Sequence, residues 1–336
     1  MNQTRLKSIT ISLILPESPT VTTYFRPISL DGYNNSLIPF HYGTFFYFTL
    51  GEIKPRIAGM EIERDTPTLK PIVLKELVAE KNKKLAARIP GFVYGLINRL
   101  LHIREINEII RKYGHLKGVH FIEAVLQYFN VKVVLKGEEN LPASGQYIFA
   151  SNHPLGGFDG LMLIKAVSDR MGKSLFLVRD ELTKIPPLAS VFIPINKFGD
   201  QRKSASLINE AYDSDNQILI FPAGLASRKI NGKIVDLTWQ KHFVQKSVEH
   251  QRDVVPVYIN GKNSWFFYWL ANFRKKIGIR INLEMFLLSD ELFKNRGKTF
   301  VISFGIPIPW NHFDRSKSHT EWARNVKDIV YELTNK

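Results

Sequence analysis

The stretch SNHPLGGFDG, Ser151 to Gly160, sets a histidine and an aspartate six positions apart with Gly156 and Gly157 between them. A carboxylate that hydrogen-bonds one imidazole nitrogen leaves the other free to accept a proton, which is the minimum apparatus of a general base. The same residues also read as a capped helix start, with Asp159 near the N-cap and His153 an ordinary loop residue. Other chemistries have less to stand on. Cysteine is absent, so thiol nucleophiles, disulfides and thiolate metal sites are excluded. No His, Asp and Glu set shows metal-ligand spacing, and no glycine-rich nucleotide loop is present.

The elements that must position such a pair come from Val131 onward, where short apolar runs alternate with helical patterns. VKVVLKG, YIFASN, SLFLVRD, QILIFPAG, VVPVYING, RINLEMF and TFVISFG read as strands. DGLMLIKAVSDRMG, SASLINEAYDSD and LTWQKHFVQKSVEHQ read as helices. The alternation predicts an α/β fold with a mixed, largely parallel sheet flanked by helices. In such sheets reactive groups gather in loops beyond the carboxyl ends of strands, and His153 directly follows YIFAS.

An amphipathic helical segment over 71–130 precedes this α/β domain of 131–336. KELVAEKNKKLAARI stops at Pro90-Gly91, and FVYGLINRLLHIREINEIIRKYG carries Phe92, Leu96, Leu100, Ile103, Ile106 and Ile110 along one face. GVHFIEAVLQYF reads as a further short helix. Residues 1–70 form a poorly specified extension, punctuated by proline, in which SITISLIL and FFYFTL are the strand candidates.

The four segments around the histidine resemble, in order and interval, the sequence blocks of the glycerolipid acyltransferase family of the lysophosphatidic-acid type. NHPLGGFD stands for the family's histidine, four residues and aspartate. Ser190 to Lys197, SVFIPINK, stands for the second block, Phe221 to Arg228, FPAGLASR, for the third, and Val255-Pro256-Val257-Tyr258 for the fourth. The likeness spans roughly Val131 to Pro309. It implies an acyl transfer in which His153 is the base and Asp159 fixes its tautomer and stabilises the imidazolium. It also implies substrate-binding roles for Asn196, Lys197, Gly224, Ser227 and Arg228, and structural roles at the site for Gly156, Gly157, Pro222 and Pro256.

The chain departs from the family at three points. Five residues, not four, separate His153 from Asp159, and Gly156-Gly157 can absorb the extra one by taking positive φ. Ala223 replaces the glutamate of the third block, and Asn196 the arginine of the second. With fewer fixed donors for a phosphate, a head group bearing a single carboxylate is the better expectation, with Arg228 forking onto it. NHPLGGFDG and FPAG also resemble the ornithine-lipid and glycine-lipid O-acyltransferase branch. Lys241 matches a lysine the family often shows and also reads as a surface charge, while His242 and His250 are read as surface residues.

Forty-six Lys and Arg against thirty-one Asp and Glu give a net charge of +15, which draws polyanions. No run reaches the ~18 apolar residues that a bilayer span needs. SWFFYWLANFRKKIGIR, residues 264–280, interleaves aromatics with Arg274, Lys275, Lys276 and Arg280. It reads as a membrane-interface belt, as a buried helix with a basic end, or as a single-strand nucleic-acid surface. The expectation is a peripheral enzyme on the cytoplasmic face of the membrane, moving acyl groups from acyl carrier protein (acyl-ACP) or coenzyme A (acyl-CoA) to a lysolipid hydroxyl. An anionic membrane surface is an expected partner, nucleic acid is not, and no bound cofactor is required. The alternatives are a 1-acylglycerol-3-phosphate acyltransferase and a catalytically silent lipid- or nucleic-acid-binding relative.

Overall fold

Strands whose both faces are buried must be apolar throughout, and the central runs of this chain are. A computed structural model describes residues 71–179, 185–195, 201–279 and 281–335. The expectations placed on 1–70, on Asp180, on Asn196 and Lys197 and on Arg280 lie outside the described residues.

Five helices come first: α1 (Leu74–Lys81), α2 (Lys83–Arg88), α3 (Gly91–Leu100), α4 (Ile103–Tyr113) and α5 (Val119–Tyr128). Then β1 (Lys132–Lys136) and β2 (Tyr147–Ser151) lead into α6 (Phe158–Met171), followed by β3 (Ser174–Arg179), β4 (Phe192–Ile195), α7 (Gln201–Asp213) and β5 (Gln217–Ile220). A hairpin of β6 (Arg228–Ile230) and β7 (Lys233–Val235) precedes α8 (His242–His250), β8 (Asp253–Ile259) and α9 (Trp265–Lys276). The chain closes with α10 (Leu288–Lys294), β9 (Thr299–Phe304) and α11 (His319–Glu332).

The sheet runs β1-β9-β8-β2-β5-β3-β4, and its pairs are parallel except β8 with β9. This is the mixed, largely parallel sheet that the alternation predicts. Side chains alternate across it. Phe149, Leu219 and Val255 meet α5 and α6 on one face, where Ile122, Val125, Met162 and Leu163 are buried. Ile148, Ile218 and Val254 meet Phe243, Trp322 and Val326 of α8 and α11 on the other. Because α5 shares a core with α6, the expected boundary at residue 130 is not a break between cores.

Four expectations are corrected. The stripe from Phe92 to Ile110 is two helices, broken where His102 takes φ 52°. Its first half faces solvent, with Phe92 at 73% and Leu96 at 64% exposure. RINLEMF is not a strand: Leu283–Leu287 forms a 3-10 turn whose buried residues, Glu284 and Leu287, are spaced by three rather than two. The helix expected from Leu237 begins only at His242; ahead of it Trp239 is buried, its Nε1 donating to Asp236 Oδ2 at 2.9 Å. Pro256, expected to play a structural role at the site, lies mid-strand in β8, buried and outside the cavity lining. The β8–β9 ladder starts at Val257, so the missing N–H of Pro256 breaks no pair there, and its carbonyl accepts Gly305 N–H at 2.8 Å.

Candidate active site

His153 leaves the carboxyl end of β2, held by its neighbours' side chains. Asn152 extends the sheet by hand: its Oδ1 accepts Ile259 N–H at 2.7 Å and its Nδ2 donates to Ile259 carbonyl at 2.9 Å. The backbone of His153 is gripped on both sides. Its N–H donates to Asp236 Oδ1 at 3.2 Å, and its carbonyl accepts Ser227 N–H at 2.8 Å. Its imidazole lies on Phe221, with ring centroids 3.9 Å apart.

The extra residue does not separate the pair. His153 Nδ1 donates to Asp159 Oδ2 at 2.8 Å. Gly156 absorbs the insertion at φ 76°, whereas Gly157 stays at φ −153° as the N-cap of α6. The turn folds the amides of Leu155 and Gly156 onto the same Oδ2, at 2.9 and 3.0 Å. Asp159 is therefore both partner of the histidine and organiser of its loop, and it is completely buried. Burial pushes its carboxyl up, but the charge and hydrogen bond of His153 and the two amides outweigh this and hold it below its ordinary value. With Nδ1 engaged, Nε2 is the ring nitrogen left to accept a proton.

Space is tight around this turn. A Cβ on Gly156 would lie 2.6 Å from Leu288 Cδ2 at the start of α10, in backbone that side chains rarely adopt. Gly156→Ala is expected to cost about 1–3 kcal/mol of stability and to lower turnover, measured by denaturant titration and single-turnover rates. Gly157→Ala, facing only a 3.3 Å contact with Leu292, is the control expected to be milder.

His153 opens onto a cavity of about 680 Å³ walled by Leu161, Phe176, Val178, Leu188, Phe192 and Ile208, among others. Gly156, Gly157, Pro222 and Gly224 also line it, Gly224 at φ 66° with its N–H on Phe221 carbonyl at 2.9 Å. Hydrocarbon fits this wall; an unpaired charge does not.

The rest of the third block is placed elsewhere. Ser227 Oγ donates to Asp236 Oδ1 at 2.5 Å instead of facing the cavity. Arg228 is buried, its Nη2 donating to Glu284 Oε1 at 2.6 Å and its Nη1 to Ala226 carbonyl at 2.5 Å. Glu284 is fully buried and also takes Arg274 Nε. The fork expected from Arg228 onto a substrate carboxylate is thus corrected: the guanidinium is buried outside the cavity lining and paired with Glu284, tying β6 to the turn before α10. His250, expected at the surface, is largely covered, bonding Asp213 Oδ1 at 2.7 Å and stacking on Tyr212 outside the cavity lining, while His242 is exposed and also lines the cavity.

Two residues escaped the sequence reading. Asp236 joins His153, Ser227 and Trp239 through one buried carboxylate, which burial pushes above its ordinary value against the pull of those bonds. A lone aspartate after a hairpin carries no signal of this. Lys246, on α8, also lines the cavity and reads in sequence as a helix-surface charge.

A histidine at a strand end, facing an apolar cavity and bonded to a buried carboxylate, suits an enzyme that moves fatty acyl groups. The chain belongs to the Acyltransferase family, whose model matches residues 76–336. It is 46% identical over 264 residues to a lyso-glycine lipid O-acyltransferase of Bacteroides thetaiotaomicron, covering 78% of this chain and 97% of that one. A protein of the same description from Phocaeicola vulgatus is 44% identical, covering 78% and 95%. The crystal structure of the 1-acyl-sn-glycerophosphate (LPA) acyltransferase from Thermotoga maritima aligns with TM-score 0.41 and 18% identity, over 78% of this chain and 98% of that one.

Proposed function

We propose that this acyltransferase esterifies the hydroxyl of a lyso-glycine lipid, an N-(3-hydroxyacyl)glycine, with a fatty acyl group taken from a thioester of acyl carrier protein or coenzyme A. The observation that carries the chemistry is the 2.8 Å bond between His153 and Asp159 beside an apolar cavity. The names of the two bacterial relatives support the acceptor. In the reaction, Nε2 takes the hydroxyl proton as the oxygen attacks the thioester carbonyl. The C–O bond forms, the C–S bond breaks, and the imidazolium returns the proton to the leaving thiolate. Asp159 stabilises the imidazolium between those steps. Contact within the pair also speaks against a catalytically silent relative disabled by the longer spacing.

The test is a competition between N-(3-hydroxyacyl)glycine and lysophosphatidic acid at equal concentration with one acyl donor. The glycine lipid is expected to be acylated preferentially. A clear preference for lysophosphatidic acid would overturn the acceptor and leave the catalytic pair intact.

Peripheral membrane association belongs to the same proposal. No helix of the described residues is long and apolar enough to cross a bilayer. Yet α9 buries only Phe267, Tyr268 and Ala271, while Trp265 is 69% exposed and stacks toward Trp269 and Phe273 along the outer face. Ile281 and Phe286 extend the bare apolar surface, and Lys275 and Lys276 are exposed at the helix end. Aromatic rings beside lysines suit a bilayer interface. Lys275→Glu with Lys276→Glu is expected to release the protein from anionic vesicles, each charge being worth about 1 kcal/mol. Unchanged sedimentation with vesicles would place the membrane contact elsewhere.

A further inference from the structure

With Arg228 committed to Glu284, an acceptor carboxylate must find its partners elsewhere in the cavity. Among the described lining residues the basic side chains besides His153 are His242 and Lys246, both from α8. They stand four positions apart, so their side chains leave the helix on one face, while Phe243, Val244 and Ser247 are buried on another. Lys246 is not a swinging surface charge. Its Nζ donates to Asn209 Oδ1 of α7 at 2.6 Å and to Glu249 Oε2 at 2.7 Å. An ammonium has three donors, so these two bonds fix its position and leave one N–H to spend.

We infer that His242 and Lys246 form the head-group subsite of this enzyme, binding the carboxylate of the acceptor while its chain hydroxyl lies at His153. The inference rests on the acceptor proposed above and names the residues that select it. The described lining residues divide an amphiphile between two ends of this cavity. Its hydrocarbon lies along Leu161, Phe176, Leu188 and Ile208, where an unpaired carboxylate would lose its hydration without compensation. Its charged end lies at α8, where His242 and Gln240 are exposed to solvent and Lys246 is half-buried. One lysine and one imidazole match a single carboxylate better than the nearly doubly charged phosphate of lysophosphatidic acid. Selectivity then resides on α8, outside the four sequence blocks.

The experiment pairs N-(3-hydroxyacyl)glycine with its methyl ester, which keeps the hydroxyl and the chain but removes the charge. Wild-type protein is expected to favour the acid in kcat/KM by roughly tenfold or more, the size of a charge-assisted hydrogen bond. Lys246→Met and His242→Gln should each bring that ratio toward one by raising the KM for the acid, without raising the KM for the acyl donor. Variants that keep the full preference for the acid would overturn the subsite. So would a rise in donor KM alone, which would assign these cations to a phosphate of the donor. Wild-type protein that acylates neither compound would remove the acceptor class itself and the subsite with it.

Discussion

His153→Ala is expected to lower the rate of acyl transfer by about 10²–10⁴-fold, the usual contribution of a positioned general base, with the fold intact. The loss of the imidazole costs Asp159 one of its partners and so some stability, but the fold survives because the scaffold of this position is its backbone. Asp236 and Ser227 hold the N–H and carbonyl of residue 153, and alanine keeps both. Asn152 still ties the strand end to Ile259. A labelled-thioester assay on purified protein, with thermal unfolding alongside, measures the two quantities separately. Near-wild-type turnover in a folded His153→Ala protein would end the assignment of His153 as base.

Asp159→Asn is expected to cost a comparable factor, roughly 10³–10⁴ in rate, for a different reason. Asp159 Oδ2 accepts three donors, from His153, Leu155 and Gly156. An asparagine that keeps its carbonyl oxygen at that point preserves the loop but carries no charge to stabilise an imidazolium. If it turns its amide there instead, two backbone N–H groups face a donor and the loop itself is disturbed. Stability against pH separates the two outcomes. The carboxyl of Asp159 sits below its ordinary value in the folded protein, so its ionised form adds stability above the unfolded-state value and loses it as pH falls through the folded-state value. Below about pH 4 the wild-type protein therefore approaches the variant, which has no such contribution to lose. Urea titrations at pH 7 and at pH 3 check this: a gap that persists unchanged at pH 3 would mean that packing, and not charge, makes the difference.

Residue pattern determined six of the sheet's seven strands, and block order picked out the pair. Six of the seven expected strands form, the central ones because a strand buried on both faces demands a continuous apolar run and leaves a strong signal. His153 and Asp159 were legible because glycines, proline and block order surround them. Two local signals went unread. Asn231-Gly232, at φ 49° and 80°, makes the hairpin turn between β6 and β7, and Ser318 with Glu321 forms the capping box that starts α11. Three matters were decided only by tertiary structure. Whether five intervening residues still let His153 reach Asp159 depended on Gly156 taking the left-handed conformation under Leu288. Whether Arg228 binds substrate depended on Glu284, fifty-six positions away, which claims its guanidinium. Whether His242 and Lys246 are surface charges or cavity lining depended on which face α8 turns inward. In each case the residue type permits either role, and a partner distant in sequence chooses between them, because a buried charge must be paired and only the folded chain says with what.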